Sequence, residues 1–131
     1  PMSIMMMDID LFKKANDKLG HLAGDQILRA FADCCRANMR DVDIVGRYGG
    51  DEFVVLLVES DQQASITAAE RLRTAIKALK PSGEGWQFDV TVSCGMTTLT
   101  TDTPNLEALI NRADKALYKA KRLGRDQVYW L

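Results

Sequence analysis

The stretch SIMMMDI, Ser3 to Ile9, is short, almost wholly apolar and ends in acid, with Asp10 directly after it. A run of this length bounded by charge reads as a buried central strand. Such a strand needs neighbours on its edges, and its acidic end must open on water or on a site.

The rest of the chain supplies the neighbours. Ile44 to Arg47 and Phe53 to Val58 are β-rich runs flanking Gly49-Gly50, which predicts a hairpin whose central residues take positive φ. Phe88, Val90 and Val92 alternate with Asp89, Thr91 and Ser93, the period of a strand with one wetter face. Helical patterns lie between. Leu22, Ile27, Leu28, Phe31, Cys34 or Cys35, and Met39 recur at threes and fours. Asp61 is a candidate N-cap for a helix reaching Leu79, with Ala68, Leu72, Ile76 and Leu79 on one face, and KPSGEG ends it. Thr103-Pro104 opens another helix carrying Leu106, Ile110, Ala113 and Leu117, stopped at Gly124, and Gln127 to Leu131 forms a last edge strand. The order is β-α-β-β-α-β plus a helix and an edge strand, an elaborated ferredoxin-like α+β fold.

The 131 residues, 47% of them hydrophobic, suffice for one core and not for two, so a single domain is expected over residues 1–131. Seventeen basic against eighteen acidic residues leave a formal charge of −1, which argues against broad binding to nucleic-acid polymers or anionic membranes. Cys34, Cys35 and Cys94 are odd in number and lack C-x-x-C spacing, so they read as core thiols of a reducing compartment. Met2, Met5, Met6 and Met7 read as core filling. The opening apolar run has no positively charged n-region, and nowhere do ~18 apolar residues run together. A cytoplasmic domain is expected. Because the sequence begins abruptly in a strand, it reads as cut from a longer polypeptide, with a sensor or membrane segment upstream.

RYGGDEF, Arg47 to Phe53, sets two glycines against two adjacent carboxylates. Turn geometry would explain Gly49 and Gly50 alone, but residues without Cβ also let a ligand lie against the backbone. Asp51 and Glu52 repel each other unless a divalent cation shared with another acid relieves the charge. In a ferredoxin-like sheet the first strand adjoins the hairpin, so Asp8 and Asp51 can face one cation. Carboxylate oxygens favour Mg²⁺, with Mn²⁺ the alternative, and Mg²⁺ keeps waters and substrate phosphates as its other ligands. Phosphoryl transfer is then the natural reaction class. On these residues alone, a solvated acidic turn beside an acidic strand end remains a competing reading.

Gly49 to Phe53 is also the signature of the GGDEF family of diguanylate cyclases, and the likeness extends beyond it. DIDLFKKANDKLGHLAGDQIL, Asp8 to Leu28, resembles the family's D-x-D-x-F-K-x-x-N-D-x-x-G-H-x-x-G-D-x-x-L at every specified position. ADKALYKAKRLGRD, Ala113 to Asp126, resembles A-D-x-A-L-Y-x-A-K-x-x-G-R-[ND], and SCG, Ser93 to Gly95, is similar to S-x-G. The family's upstream helix and its Asn-Arg turn have no counterpart in this sequence.

The resemblance implies that two GTP molecules are joined into cyclic di-GMP, with release of two pyrophosphates, by a homodimer holding one GTP per protomer. Asp8, Asp51 and the backbone carbonyl of Ile9 would bind Mg²⁺, Asp51 would help deprotonate the ribose 3′-hydroxyl, and Glu52 would stand beside the metal. Asn16 and Asp25 would read guanine, whose N1–H and 2-amino donors adenine lacks. Lys13 would neutralise phosphate charge in the transition state. Lys121 and Arg125 would hold the terminal phosphates, and N–H groups near Leu11 and Phe12 would complete the cradle beside Gly49 and Gly50. RDVD, Arg40 to Asp43, falls on the family's R-x-x-D inhibitory site, where Arg40 and Asp43 would bind cyclic di-GMP with support from Arg71. An upstream regulatory domain would set the dimer geometry.

Bland readings stand beside these. Asn16-Asp17 before Gly20 is ordinary turn chemistry, Asp25 a helix-start acid, and Lys121, Arg122 and Arg125 complements to a helix C-terminus. His21 reads as structural, bonding across the turn. An isolated R-x-x-D is a surface ion pair. The alternative function is a catalytically silent receptor for cyclic di-GMP or GTP, against which the presence of Asp8, Asp51, Glu52 and Lys13 weighs. A nucleotidyl cyclase using another base, or a polymerase-like palm, would share the fold logic without Asn16 and Asp25 at this spacing.

Overall fold

The computed structural model describes all of residues 1–131. The central strand is β1 (Met2–Ile9). It pairs antiparallel on one side with β3 (Glu52–Val58), which carries β2 (Ile44–Gly49) at the sheet edge. A two-residue hairpin, β4 (Ser82–Gly83) with β5 (Trp86–Gln87), stands apart. On the other side of β1 lies β6 (Val92–Thr98), antiparallel, followed by the parallel edge strand β7 (Gln127–Trp130). The sheet order β2-β3-β1-β6-β7 is the ferredoxin-like arrangement with one strand added, as the sequence predicts.

There are four helices, α1 (Phe12–Leu19), α2 (His21–Ala37), α3 (Gln62–Lys77) and α4 (Leu106–Arg122); α2, α3 and α4 cover the sheet and α1 packs on α2. None of them is long and apolar enough to cross a membrane. The period of two along a strand divides β1 between both faces. Met5, Met7 and Ile9 join Phe31 and Cys35 of α2 and Leu72 and Ile76 of α3 in the larger core. Ile4 and Met6 pack against Leu109, Ala113 and Leu117 of α4 on the other face. Met5, Met6 and Met7 are fully buried, each contributing about 1.5–3 kcal/mol. By the same alternation Asp8 lies on the α4 face, at the strand's end.

α4 can reach that end because it rests on bare backbone. A Cβ added to Gly95 of β6 would meet Leu117 N at 2.0 Å and Ala113 O at 2.4 Å. The S-x-G glycine is therefore a close-packing requirement, and it lowers the C-terminal turns of α4, with Lys121, onto the strand ends.

Several expectations need correction. Gly49 and Gly50 do not have positive φ. Gly49 pairs with Glu52 after a register shift, leaving Gly50-Asp51 as the turn, so left-handed backbone does not explain the glycines. Asn16 and Asp17 lie in α1 rather than a turn; the break comes at Gly20, with φ 95. Leu22 is 82% exposed and off the buried stripe, while Met39 packs against the core from beyond the end of α2. The α4 cap is Asn105, whose side chain accepts from Ala108 N at 2.8 Å, not Thr103. The fourth strand starts at Val92 instead of Phe88, because Phe88 N–H goes to Pro81 O and Thr91 O accepts from Asp10 N. It is also buried on both faces, since α3 and α4 cover it. Other readings hold: Asp61 caps α3 by accepting from Ala64 N at 2.9 Å, and the three cysteines are buried free thiols.

Candidate active site

At the exit of β1 the chain bends sharply. Leu11 has φ 59, a left-handed conformation unusual for a side-chain-bearing residue, and α1 begins at Phe12 without a side-chain cap. First-turn N–H groups of a helix have no intrahelical acceptor, and an uncapped start suits an anion. Lys13 and Lys14 occupy this turn, where no acid is present. Cations at the positive end of a helix dipole are unfavourable unless an anion joins them.

A cavity of about 310 Å³ opens beside this turn, lined by Asp8, Ile9, Leu11, Phe12, Lys13, Lys14, Asp51, Lys121 and Arg125, with Asp10 at its base. It gathers residues distant in sequence. Asp8 stands opposite Glu52 in the β1–β3 register, and Ile9 N–H donates to Asp51 O at 3.3 Å, which fixes the turn against the strand end. Asp8 and Asp51 face the same cavity, close enough for each carboxyl charge to disfavour the other. Burial first, and then Asp51, push the Asp8 carboxyl up to about 7, although Lys121 pulls it down. Lys121 Nζ donates to Asp8 Oδ2, while Asp8 Oδ1 is buried without a partner. Glu52 is half-buried and enters no ion pair.

An orphaned carboxylate oxygen beside a second acid marks a place short of positive charge, and hard oxygen donors suit a divalent cation such as Mg²⁺. No cluster of three or more His, Cys, Asp or Glu side chains poised for a metal occurs in the chain. Side chains could thus offer a cation no more than the two carboxylates, and backbone or substrate oxygens would have to complete any coordination.

Asp10 has a different part. Its oxygens accept from Thr91 Oγ1 at 2.7 Å, Ser93 Oγ at 2.6 Å and Asp126 N at 3.0 Å, so it is a satisfied buried anchor.

Asn16 of α1 lies against Gly24 of α2, the residue before Asp25. A Cβ on Gly24 would lie 2.1 Å from Asn16 Oδ1, so this glycine lets the amide settle directly before Asp25. Asn16 Nδ2 donates to His21 Nδ1 at 3.2 Å, the structural role expected of His21. Asp25 lines a second cavity of about 410 Å³ between α2 and the hairpin, floored by Leu28, Ala32, Val45 and Phe53. Arg47 on its rim donates through Nε to Gly50 O at 2.9 Å and ties down the glycine turn. A Cβ on Gly49 or Gly50 would meet nothing within 4 Å.

Arg40 and Asp43 are together, on each other. Asp43, with its side chain 2% exposed, accepts from Arg40 N, Nε and Nη2 and from Val58 N. Burial pushes its carboxyl up, but these hydrogen bonds outweigh that and hold it below the usual range. Arg40 also donates to Ser60 Oγ at 3.0 Å, and Arg71 of α3 donates to Asn38 O at 2.9 Å. A cavity of about 230 Å³ adjoins Arg40 and Asp43.

Sequence reasoning missed Lys14, Arg47 and the anchoring by Asp10. Reading FKKANDKL as a helix would have exposed the first, since paired lysines at a helix start are an anion signal.

A family model described as "Diguanylate cyclase, GGDEF domain" matches residues 1–127. Diguanylate cyclase A of Treponema denticola is 39% identical over 127 residues, covering 97% of this chain and 34% of that protein. The chain spans about a third or less of the curated relatives it matches. The crystal structure of diguanylate cyclase SiaD from Pseudomonas aeruginosa, in complex with its activator SiaC, superposes with a TM-score of 0.94 at 35% identity, over 99% of this chain and 50% of that one. The GGDEF domain of DgcB from Caulobacter crescentus, in complex with c-di-GMP, gives 0.92 at 30% identity, over 98% and 77%. With its signature turn facing Asp8 across adjoining strands, the chain belongs to the GGDEF family of diguanylate cyclase domains.

Proposed function

We propose that this domain condenses two GTP molecules into cyclic di-GMP and two pyrophosphates, and that Asp8 and Asp51, with the carbonyl of Ile9, hold the Mg²⁺ ion the reaction needs. Mn²⁺ would suit the same oxygens. The observation that carries the reading is the convergence of Asp8 and Asp51 at one strand end, with Asp8 Oδ1 buried and unpartnered, beside an uncapped helix start. When bound, the ion lowers the pKa of a coordinated hydroxyl and offsets phosphate charge.

The chain's own groups do the rest. The α1 first turn, with N–H groups near Leu11 and Phe12, receives phosphate oxygens, and Lys13 neutralises charge that develops in the transition state. Asp51 accepts the proton of the attacking ribose 3′-hydroxyl, and Glu52 stands behind it as a supporting acid. Lys121 and Arg125 hold the leaving pyrophosphate. Asn16 and Asp25 read the guanine edge, which would lie over the apolar floor of the α2–hairpin cavity. Gly49 and Gly50 leave the nucleotide its room; neither φ nor packing gives them another reason.

One protomer carries one such site, whereas the product joins two guanylates twice, so catalysis takes two chains face to face about a twofold axis. Cyclic di-GMP then inhibits through Arg40, Asp43 and Arg71. Since both Asp43 oxygens are engaged, product recognition there starts from Arg40. The DgcB domain, crystallised in complex with c-di-GMP, supports a product site in this family. An upstream regulatory domain and a cytoplasmic setting belong to the same proposal.

Asp51→Ala is the direct test. Turnover of GTP by the dimeric chain should fall at least 10³-fold, of the order lost with a key electrostatic group, while the melting temperature stays near wild type. Unchanged turnover would remove the assignment of Asp51.

A further inference from the structure

Beyond Leu123, the link from α4 to β7 is left-handed as far as Asp126. Gly124, Arg125 and Asp126 have φ of 123, 63 and 47, so two side-chain-bearing residues in succession sit where each costs about 1–2 kcal/mol. Helix termination accounts for part of this. Gly124 N–H bonds Lys121 O and Arg125 N–H bonds Ala120 O, the pairing that commonly ends a helix on glycine. It does not account for Asp126.

Asp126 is held from two elements. Its main-chain N–H donates to Asp10 Oδ2 at 3.0 Å, and Asp10 is 5% exposed and fixed by Thr91 and Ser93. Its carboxylate accepts from Arg73 Nη1 and Lys77 Nζ of α3, each at 2.8 Å. Arg73, with its side chain 21% exposed, is itself steadied by Glu70 at 3.0 Å. Between glycine and clamp stands Arg125. It enters none of the chain's ion pairs and is one of the residues that line the cavity with Asp8, Lys13 and Lys121.

We infer that Asp10, Asp126 and Arg73 are positioning residues for substrate: they clamp the left-handed link so that Arg125 is presented to the terminal phosphates of GTP. The inference rests on the nucleotide reading of this cavity and extends it to α3, since neither Arg73 nor Asp126 lines the cavity. The charged hydrogen bonds to Asp126 offset the backbone strain. In this arrangement Arg125 needs no side-chain partner of its own until phosphate arrives.

The test is binding of α,β-methylene-GTP, whose reacting bond cannot break, and of GMP, by calorimetry with Mg²⁺ on the whole chain. Arg125→Met, Asp126→Asn and Arg73→Met should each weaken the triphosphate ~10-fold or more and leave GMP unchanged. Asp126→Asn added to Arg125→Met should cost nothing further, because both remove one interaction. Arg73→Lys, which keeps a cation against Asp126, should retain part of the affinity and reads the same ratio should Asp126→Asn fail to fold. A role confined to folding would lower the melting temperature and preserve the triphosphate-to-GMP ratio. A wild-type ratio in the Asp126 and Arg73 variants, alongside its loss in Arg125→Met, overturns the clamp and leaves the nucleotide reading intact. Equal affinity of the wild-type chain for both nucleotides overturns both.

Discussion

Asp8 has one oxygen engaged by Lys121 and the other buried alone, with Asp51 beside it. A carboxyl pushed up to about 7 in the folded chain binds its proton more tightly than in the unfolded chain, where its ordinary value is 3.8. Between those values the folded state holds the extra proton, so this group's contribution to stability declines as pH rises toward 7. Asp43 and Asp126 act oppositely. Burial raises both, hydrogen bonds to Arg40, Arg73 and Lys77 outweigh it, and the stability they add is lost as pH falls through their lowered values. Cation binding at Asp8 must displace the proton. Mg²⁺ should therefore raise the melting temperature clearly at pH 8 and little at pH 5, and Asp8→Asn should abolish the difference. Equal stabilisation at both values in a thermal melt would contradict the metal assignment. Asp8 and Asp51 were legible in the sequence because acids crowded at a strand end and a turn are costly without a reason. Asp10 was not: an acid two residues from Asp8 looks the same on paper, and only tertiary donors from Thr91, Ser93 and Asp126 make it an anchor.

Elements with strong periodicity were legible too. Apart from Leu22 and Leu106, which are exposed, the hydrophobic stripes of α2, α3 and α4 and the apolar run of β1 follow from burial, which spacing encodes directly. α1 escaped, because its eight residues bury only Ala15 and its polar composition imitates a turn. The start of β6 was misplaced, since alternation in Phe88 to Ser93 reports side-chain environment and not the hydrogen-bond partners that Pro81 and Asp10 capture. Glycines separate the two kinds of constraint at this scale. Gly95→Ala forces a Cβ into the α4 backbone and should destabilise by about 3 kcal/mol in denaturant titration. Gly49→Ala meets nothing and should change stability by less than ~0.5 kcal/mol, yet lower GTP turnover. A destabilised Gly49→Ala with unaltered turnover would show that the turn, not the ligand, needs that glycine.

For the molecule as a whole, the site lies where β1, the hairpin turn, α1 and the end of α4 converge. The R-x-x-D pair sits apart, joined to α3 through Arg71 and Asn38. Arg40→Ala should raise the cyclic di-GMP concentration needed for half inhibition at least tenfold, with initial turnover within about twofold of wild type. Because Asp43 then loses its cation, some stability goes with it. Unaltered inhibition would refute the product site. Fold class could be read from element order alone, whereas the proposed pairing of two chains would leave no periodic trace in one sequence and enters only through the chemistry of a twice-joined product. The central claim is the reaction itself, tested by incubating the chain at high concentration with GTP and Mg²⁺ and identifying the nucleotide by chromatography. The account predicts cyclic di-GMP with pyrophosphate, at a rate per chain that rises with chain concentration. Intact GTP in a sample verified to be dimeric would contradict it.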